Sequence, residues 1–73
     1  MEAIILSVGD ELTMGQVVDT NASWLSARLA DAGVLTRRRA TLPDDRAAVA
    51  RAIREAAREA GWVIVTGGLG PTR

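Results

Sequence analysis

"WVIVTGGLGPTR", residues 62–73, decides how the rest of the chain is read. Trp62 to Thr66 is a continuous apolar run rich in β-branched residues. It does not alternate between apolar and polar, so it reads as a strand buried on both faces. Three glycines follow, at positions 67, 68 and 70, and then Pro71, Thr72 and Arg73. Closely spaced glycines let backbone amides approach an anion unobstructed by side chains, and together they can form an anion-binding concavity. A tight turn that binds nothing is the alternative, and a glycine loop alone does not decide between the two.

Working outward, "AIILSV", Ala3 to Val8, is a second non-alternating apolar run, bounded by Gly9, and reads as another buried strand. "GDELTMGQVVDT", residues 9–20, reads as a loop. A helix fits from Asn21 or Ala22 through Ala32, with Thr20 or Asn21 as its cap, because a short polar side chain can accept from an orphan first-turn amide. Ala22, Leu25, Leu29 and Ala32 share one face, Trp24 widens that stripe and reads as core, and Gly33 stands where a left-handed residue would end the helix. "VLTRRRATL", residues 34–42, reads as a strand near the sheet edge, its arginine run 37–39 being an exposed strand face, and Pro43 ends it. A second helix is expected from about Asp45 to Ala60, with Asp44 at the N-cap and Gly61 closing it. Val49, Ile53, Ala56, Ala57 and Ala60 form its apolar stripe, with Arg51 and Glu55 paired at i,i+4 on the other side.

The order is therefore β-α-β-α-β. Strands joined by helical crossovers run parallel, and such sheets are covered on both faces by helices. The expected class is α/β, a parallel-sheet piece of a three-layer Rossmann-like domain. In open parallel sheets ligands bind beyond the carboxyl ends of the strands. The loop after Val8, the stretch around Pro43 and Asp44, and the terminal glycine loop all lie there.

Composition removes several chemistries. The chain of 73 residues has room for one small domain. It has no Cys and no His, which excludes a disulfide framework, a Cys nucleophile, a Ser-His dyad and a His-ligated zinc. All nine basic residues are Arg, so there is no Walker A lysine and no Schiff-base lysine. Nine acidic residues bring the net charge to zero, which gives no general reason to expect nucleic-acid binding. No stretch is long and apolar enough to span a bilayer, and the acidic start does not look like a signal peptide, so a cytoplasmic, membrane-free location is expected. With so small a core, self-association into a homo-oligomer is expected as well.

Three motifs taken in order, "VGDELTMGQVVDTNASWLSARLADAG", "LPDD" and "VIVTGGLGPT", resemble the molybdopterin-binding-like domain of the CinA family, which is shared with MoaB and MogA proteins. The resemblance runs along essentially the whole chain. "GxELxxGxxxDTNA" and "TGGLGPT" are particular to the CinA branch, since MogA-like members usually carry Thr where Leu69 stands. It implies a MogA-like fold and a pocket for a pterin or nucleotide phosphate, molybdopterin among the candidates, with magnesium or another divalent cation. It also implies a link to hydrolysis of nucleotide pyrophosphates such as ADP-ribose. The alternatives are a binding module without turnover and an inactive remnant. In the family the domain is about twice as long and continues past the glycine loop into an acidic pair and a helix. Residues 1–73 are thus expected to be the N-terminal half of a domain, without the family's separate C-terminal domain.

The resemblance also assigns residues. Asp44 matches a pocket carboxylate and is the candidate catalytic and metal-binding residue; capping the second helix is its other reading, and both could hold. Thr66, Gly67, Gly68, Gly70 and Thr72 match the phosphate loop. Gly9, Asp10 and Glu11 match the first loop, where Asp10 departs from the Thr of many CinA-like chains. Glu11 could reach a metal or ribose, or be a solvated loop carboxylate. Asn21 reads as a helix cap first and a pocket residue second.

Overall fold

The computed structural model describes residues 1–15 and 18–67. Its elements are β1 (Glu2–Val8), α1 (Asp10–Thr13), α2 (Thr20–Asp31), β2 (Leu35–Leu42), α3 (Arg46–Glu59) and β3 (Trp62–Thr66). The three strands form one sheet in the order β2-β1-β3, with both pairings parallel. The chain steps from β1 to β2 on one side, then back across β1 to β3. Right-handed crossovers in opposite directions put α2 and α3 on opposite faces, which makes three layers. Among the described residues no helix is long and apolar enough to cross a membrane.

The central strand is apolar because both its faces are covered. Ala3, Ile4, Ile5, Leu6, Ser7 and Val8 are all buried. Each fully buried Ile or Leu contributes roughly 1.5–3 kcal/mol relative to exposure. On one face Ile4 and Leu6 pack with Ala56 of α3, flanked by Ala52, Ala60, Ala40, Leu42, Val63 and Val65. The small alanines at i,i+4 spacing let the helix lie close to the sheet. The packed stripe is thus 52, 56 and 60; Ala57, expected in it, is exposed, and Ile53 is on the rim. Glu55 and Arg51 form no ion pair among the described residues, and Glu55 instead adds to the negative field at Arg38.

The helix ends correct several expectations. The stretch after Gly9 contains α1, whose first turn holds Asp10 and Glu11, carboxylates that favour a helix start. The helix α2 begins at Thr20, and its cap is Asp19, whose side chain accepts from Ala22 N–H at 3.1 Å. Asn21, expected as the cap, lies inside the first turn. Trp24, expected in the core, is 61% exposed. It stands ~200° around the helix from buried Ala22, at about 100° per residue. The sheet-facing side is instead tied down by Ser26 Oγ donating to Thr36 Oγ1 at 2.8 Å. Gly33 does take the left-handed conformation after α2, at φ 85°.

β2 runs along the edge, as expected, and a register shift shapes it. Ala3 pairs with Thr36 and Ile4 with Arg38, so Arg37 has no partner on β1. The extra residue sends the three arginines different ways. Arg37 reaches Glu2 at 3.2 Å, Arg38 grips Glu59 of α3 through two hydrogen bonds of 3.0 and 2.9 Å, and Arg39 donates to Ser23 of α2 at 3.0 Å. The hydrogen bonds from Arg38 hold the Glu59 carboxyl below its ordinary range, and those bonds raise Arg38 in turn.

Candidate functional site

Three successive residues, the last of β1 and the two that follow it, each hold a different part of the sheet's carboxyl edge. Val8 places its carbonyl oxygen against Gly67, at the end of β3. Gly9 N–H donates to Leu42 O at 3.0 Å, carrying the β1–β2 pairing one residue further. Asp10 Oδ1 accepts from the backbone N–H of Asp44 at 3.0 Å, linking residues 34 apart in sequence. The loops after β1, β2 and β3 therefore meet around the end of the central strand.

Gly67 is where this meeting is tightest. Its φ is 76°, in the left-handed region that side-chain-bearing residues rarely adopt. A Cβ there would also fall on the Val8 carbonyl oxygen. Only glycine satisfies both conditions, so the close approach of β3's end to β1 depends on it.

A cleft opens on each side of this contact. On the side of α2, a cleft of about 270 Å³ is lined by Glu11, Asn21, Thr66 and Gly67, together with Leu12, Val18, Asp19, Thr20 and Val8. On the side of α3, one of about 410 Å³ is lined by Asp44, Asp45, Arg46 and Gly67, over a floor of Val8, Val49, Ala50, Ile53 and Val65. Four residues expected in the site thus share the first cleft, while Asp44 and Gly67 share the second. Gly9 is buried behind them, and Asp10 is engaged with Asp44. Gly68, Gly70 and Thr72 lie outside the described residues.

The structure separates the two readings of Asp44. The cap of α3 is Asp45, whose Oδ1 accepts from Ala47 N–H at 2.9 Å and Ala48 N–H at 3.2 Å. Asp44 precedes the cap and is exposed, and its carboxylate makes no hydrogen bond or ion pair among the described residues. Of two adjacent aspartates in "LPDD" either could have capped, so the sequence carried no signal to choose. Nor did it signal the cap at Asp19 or the bond from Asp10 to Asp44, which joins distant loops.

A divalent cation fits these residues in one way. Magnesium is commonly held by one or two carboxylates together with ligand phosphates, keeping several waters. Asp44 could supply one such carboxylate; a cage made by the protein alone does not form, since no group of three or more carboxylates gathers among the described residues.

The family model described as "Probable molybdopterin binding domain" matches residues 4–73. A CinA-like protein of Geobacter metallireducens is 53% identical over 72 residues, covering 99% of this chain and 17% of the relative. One from an Anaeromyxobacter species is 54% identical over 68 residues, covering 93% of this chain and again 17% of the relative. The crystal structure of CinA from Thermoplasma acidophilum, described as of unknown function, superposes with a TM-score of 0.94 at 35% identity, over 99% of this chain and 44% of that one. The relatives are several times longer than this chain, and the match covers the strands, the helices and all three loops at the carboxyl edge. The chain belongs to the molybdopterin-binding domain family, and the relatives it resembles there are CinA-like proteins.

Proposed function

We propose that this chain binds the phosphate group of a pterin or nucleotide at the carboxyl edge of its sheet, with magnesium or a similar cation bridging that phosphate to Asp44. The observation that carries this reading is Gly67, a glycine required by both backbone angle and space, set between the cleft of Glu11 and Asn21 and the cleft of Asp44. Position at the carboxyl ends of parallel strands supports it, and the family's description supports a pterin-type ligand. Thr66 and the amides beginning at Gly67 would supply hydrogen bonds, and the cation would offset the repulsion between phosphate and carboxylate. The test is calorimetric titration with inorganic pyrophosphate and with ADP-ribose, each with and without magnesium. Asp44→Asn should lose about tenfold or more of the magnesium-dependent affinity, the scale of one charge-assisted contact. Its unfolding midpoint should not move, because Asp45 caps α3. No binding of either ligand at millimolar concentration would overturn the reading.

A second reading, hydrolysis of a nucleotide pyrophosphate of the ADP-ribose type by the whole CinA-like protein, is favoured by the unengaged carboxylate of Asp44. Water would add to one phosphorus, the bridging P–O bond would break, and two phosphate monoesters would leave. Catalysis of that kind requires both neutralised phosphate charge and a positioned water. Among the described residues no group of three carboxylates gathers at the glycine turn to provide both. Residues 1–73 are therefore expected to release no measurable product from ADP-ribose, with or without magnesium, in a chromatographic assay. Turnover near that of a full-length relative would reverse that expectation.

A further inference from the structure

We infer that Asp10 is a positioning residue for Asp44, acting on the ligand through the second loop rather than by touching the ligand itself. The inference rests on the reading of Asp44 as the carboxylate that faces the bridging cation.

Asp10 stands in the first turn of α1, where a carboxylate can stabilise its own helix, yet Gly9 is the N-cap of α1 and no side chain caps it. The Asp10 carboxylate crosses to the other loop and accepts from Asp44 N–H at 3.0 Å. The Asp44 backbone is then fixed from both sides. Before it, Leu42 O accepts from Gly9 N–H at 3.0 Å. After it, Asp45 N–H donates to Pro43 O at 2.8 Å, and the Asp45 side chain is committed to α3. With its neighbours held, the remaining freedom of Asp44 is that of its side chain. Preorganised supports of this kind govern how well a ligating carboxylate is aimed, and losing one typically costs ~10–100-fold in metal affinity.

The geometry also specifies which replacements work. Asn at position 10 keeps an oxygen that can accept the amide, whereas Ala does not. If Asp10 were itself a cation ligand, Asn would fail nearly as badly as Ala, since the charge is gone in both. The experiment has two readouts on the chain and its Asp10→Ala, Asp10→Asn and Asp44→Asn variants. One is hydrogen exchange of the Asp44 amide by NMR. The other is calorimetric affinity for inorganic pyrophosphate with magnesium. Asp10→Ala should speed exchange at Asp44 and lower affinity ~10-fold or more, with Asp10→Asn close to the unaltered chain in both. Unchanged exchange in Asp10→Ala would overturn the link. Faster exchange with unchanged affinity, while Asp44→Asn loses affinity, would overturn the positioning role. Equal loss of affinity in Asp10→Ala and Asp10→Asn, with normal exchange in Asp10→Asn, would make Asp10 a direct ligand instead. If Asp44→Asn keeps full affinity, the reading of Asp44 fails and the positioning role with it, whereas the exchange data still report whether the link exists.

Discussion

Both outer strands of the sheet have one hydrogen-bonded neighbour, β1, yet they are built on opposite plans. β2 carries three consecutive arginines and a register irregularity at Arg37, and it engages Glu2 and Glu59 in ion pairs. Charge and bulging are devices by which proteins blunt a sheet edge against further pairing. β3 has neither. Its five residues, Trp62–Thr66, carry no charge, Trp62 is 48% exposed, and the rest are half-buried. One edge is made to face water, and the other has the composition of a strand that is covered. The proposed ligand site lies at the carboxyl end of the second kind, where β3 meets β1 through Gly67.

The first effect expected from this contrast is association through β3. An uncharged, apolar outer strand invites pairing with another chain. Sedimentation velocity at tens of micromolar should show oligomers of the unaltered chain. Trp62→Lys, which sets a charge beside the apolar run, should shift the distribution toward monomer by roughly thirtyfold or more in association constant, since a buried aromatic at an interface contributes ~2 kcal/mol or more. A stable monomer for the unaltered chain would break the comparison, because β3 would then need no cover.

How much of this was legible in the sequence follows from what sets each feature. The non-alternating runs Ala3–Val8 and Trp62–Thr66 identified two strands, and the parallel three-layer arrangement followed; Ala3–Val8 is buried as expected, whereas Trp62–Thr66, also expected to be buried, is at most half-buried because it is the outer strand. Gly33 and the edge character of β2 were also legible, because left-handed caps and charged edges are local properties. The core side of α2 was legible in part: Ala22 is buried and Leu25 and Leu29 are half-buried, as their spacing predicts, but Trp24 is not among them. Trp24 looks apolar by itself, but Ser26 and Ser23 bond to β2, so polar residues face the strand and the tryptophan faces out. Helix caps at Asp19 and Asp45 missed by one or two residues for a similar reason: neighbouring polar residues are equivalent until the backbone angle selects one. For the site, Glu11, Asn21, Thr66 and Gly67, named from motif and position, line one cleft. That Gly9 is bonded to Leu42 and Asp10 to Asp44 instead of lining it is a matter of tertiary contact, which no local pattern encodes.

Each outer strand is also joined to a left-handed glycine, and the two should respond unequally to substitution. Gly33 leads toward β2 at φ 85° with open space where a Cβ would stand, whereas Gly67 closes β3 at φ 76° against the Val8 carbonyl. Gly33→Ala should therefore cost only the left-handed penalty, about 1–2 kcal/mol. Gly67→Ala adds displacement of Val8 from its place in the central strand, for roughly 2–5 kcal/mol together. Against the few kcal/mol of stability expected of so small a domain, that is enough to blur the transition. Urea unfolding of the two variants side by side checks the difference. Equal losses would mean that β3 does not approach β1 as closely as the site requires.

The smallest effect belongs to the charged edge. Glu59 is held below the ordinary carboxylate range chiefly by its hydrogen bonds from Arg38, and both side chains are well exposed. A carboxyl group whose pKa is lower in the folded than in the unfolded chain adds stability above its unfolded pKa. That contribution disappears as pH falls through its folded pKa. At neutral pH, Glu59→Gln should then lower the urea midpoint slightly, in the range of exposed ion pairs, and added salt should shrink the difference further. As pH falls through the carboxylate range the two midpoints should converge, because the unaltered chain loses the same ion pair by protonation. A gap that stays constant down to strongly acidic pH would show that Glu59 acts on β2 through packing rather than charge. The protection of this edge would then rest on Arg37 and the irregularity in register, not on the clamp between β2 and α3.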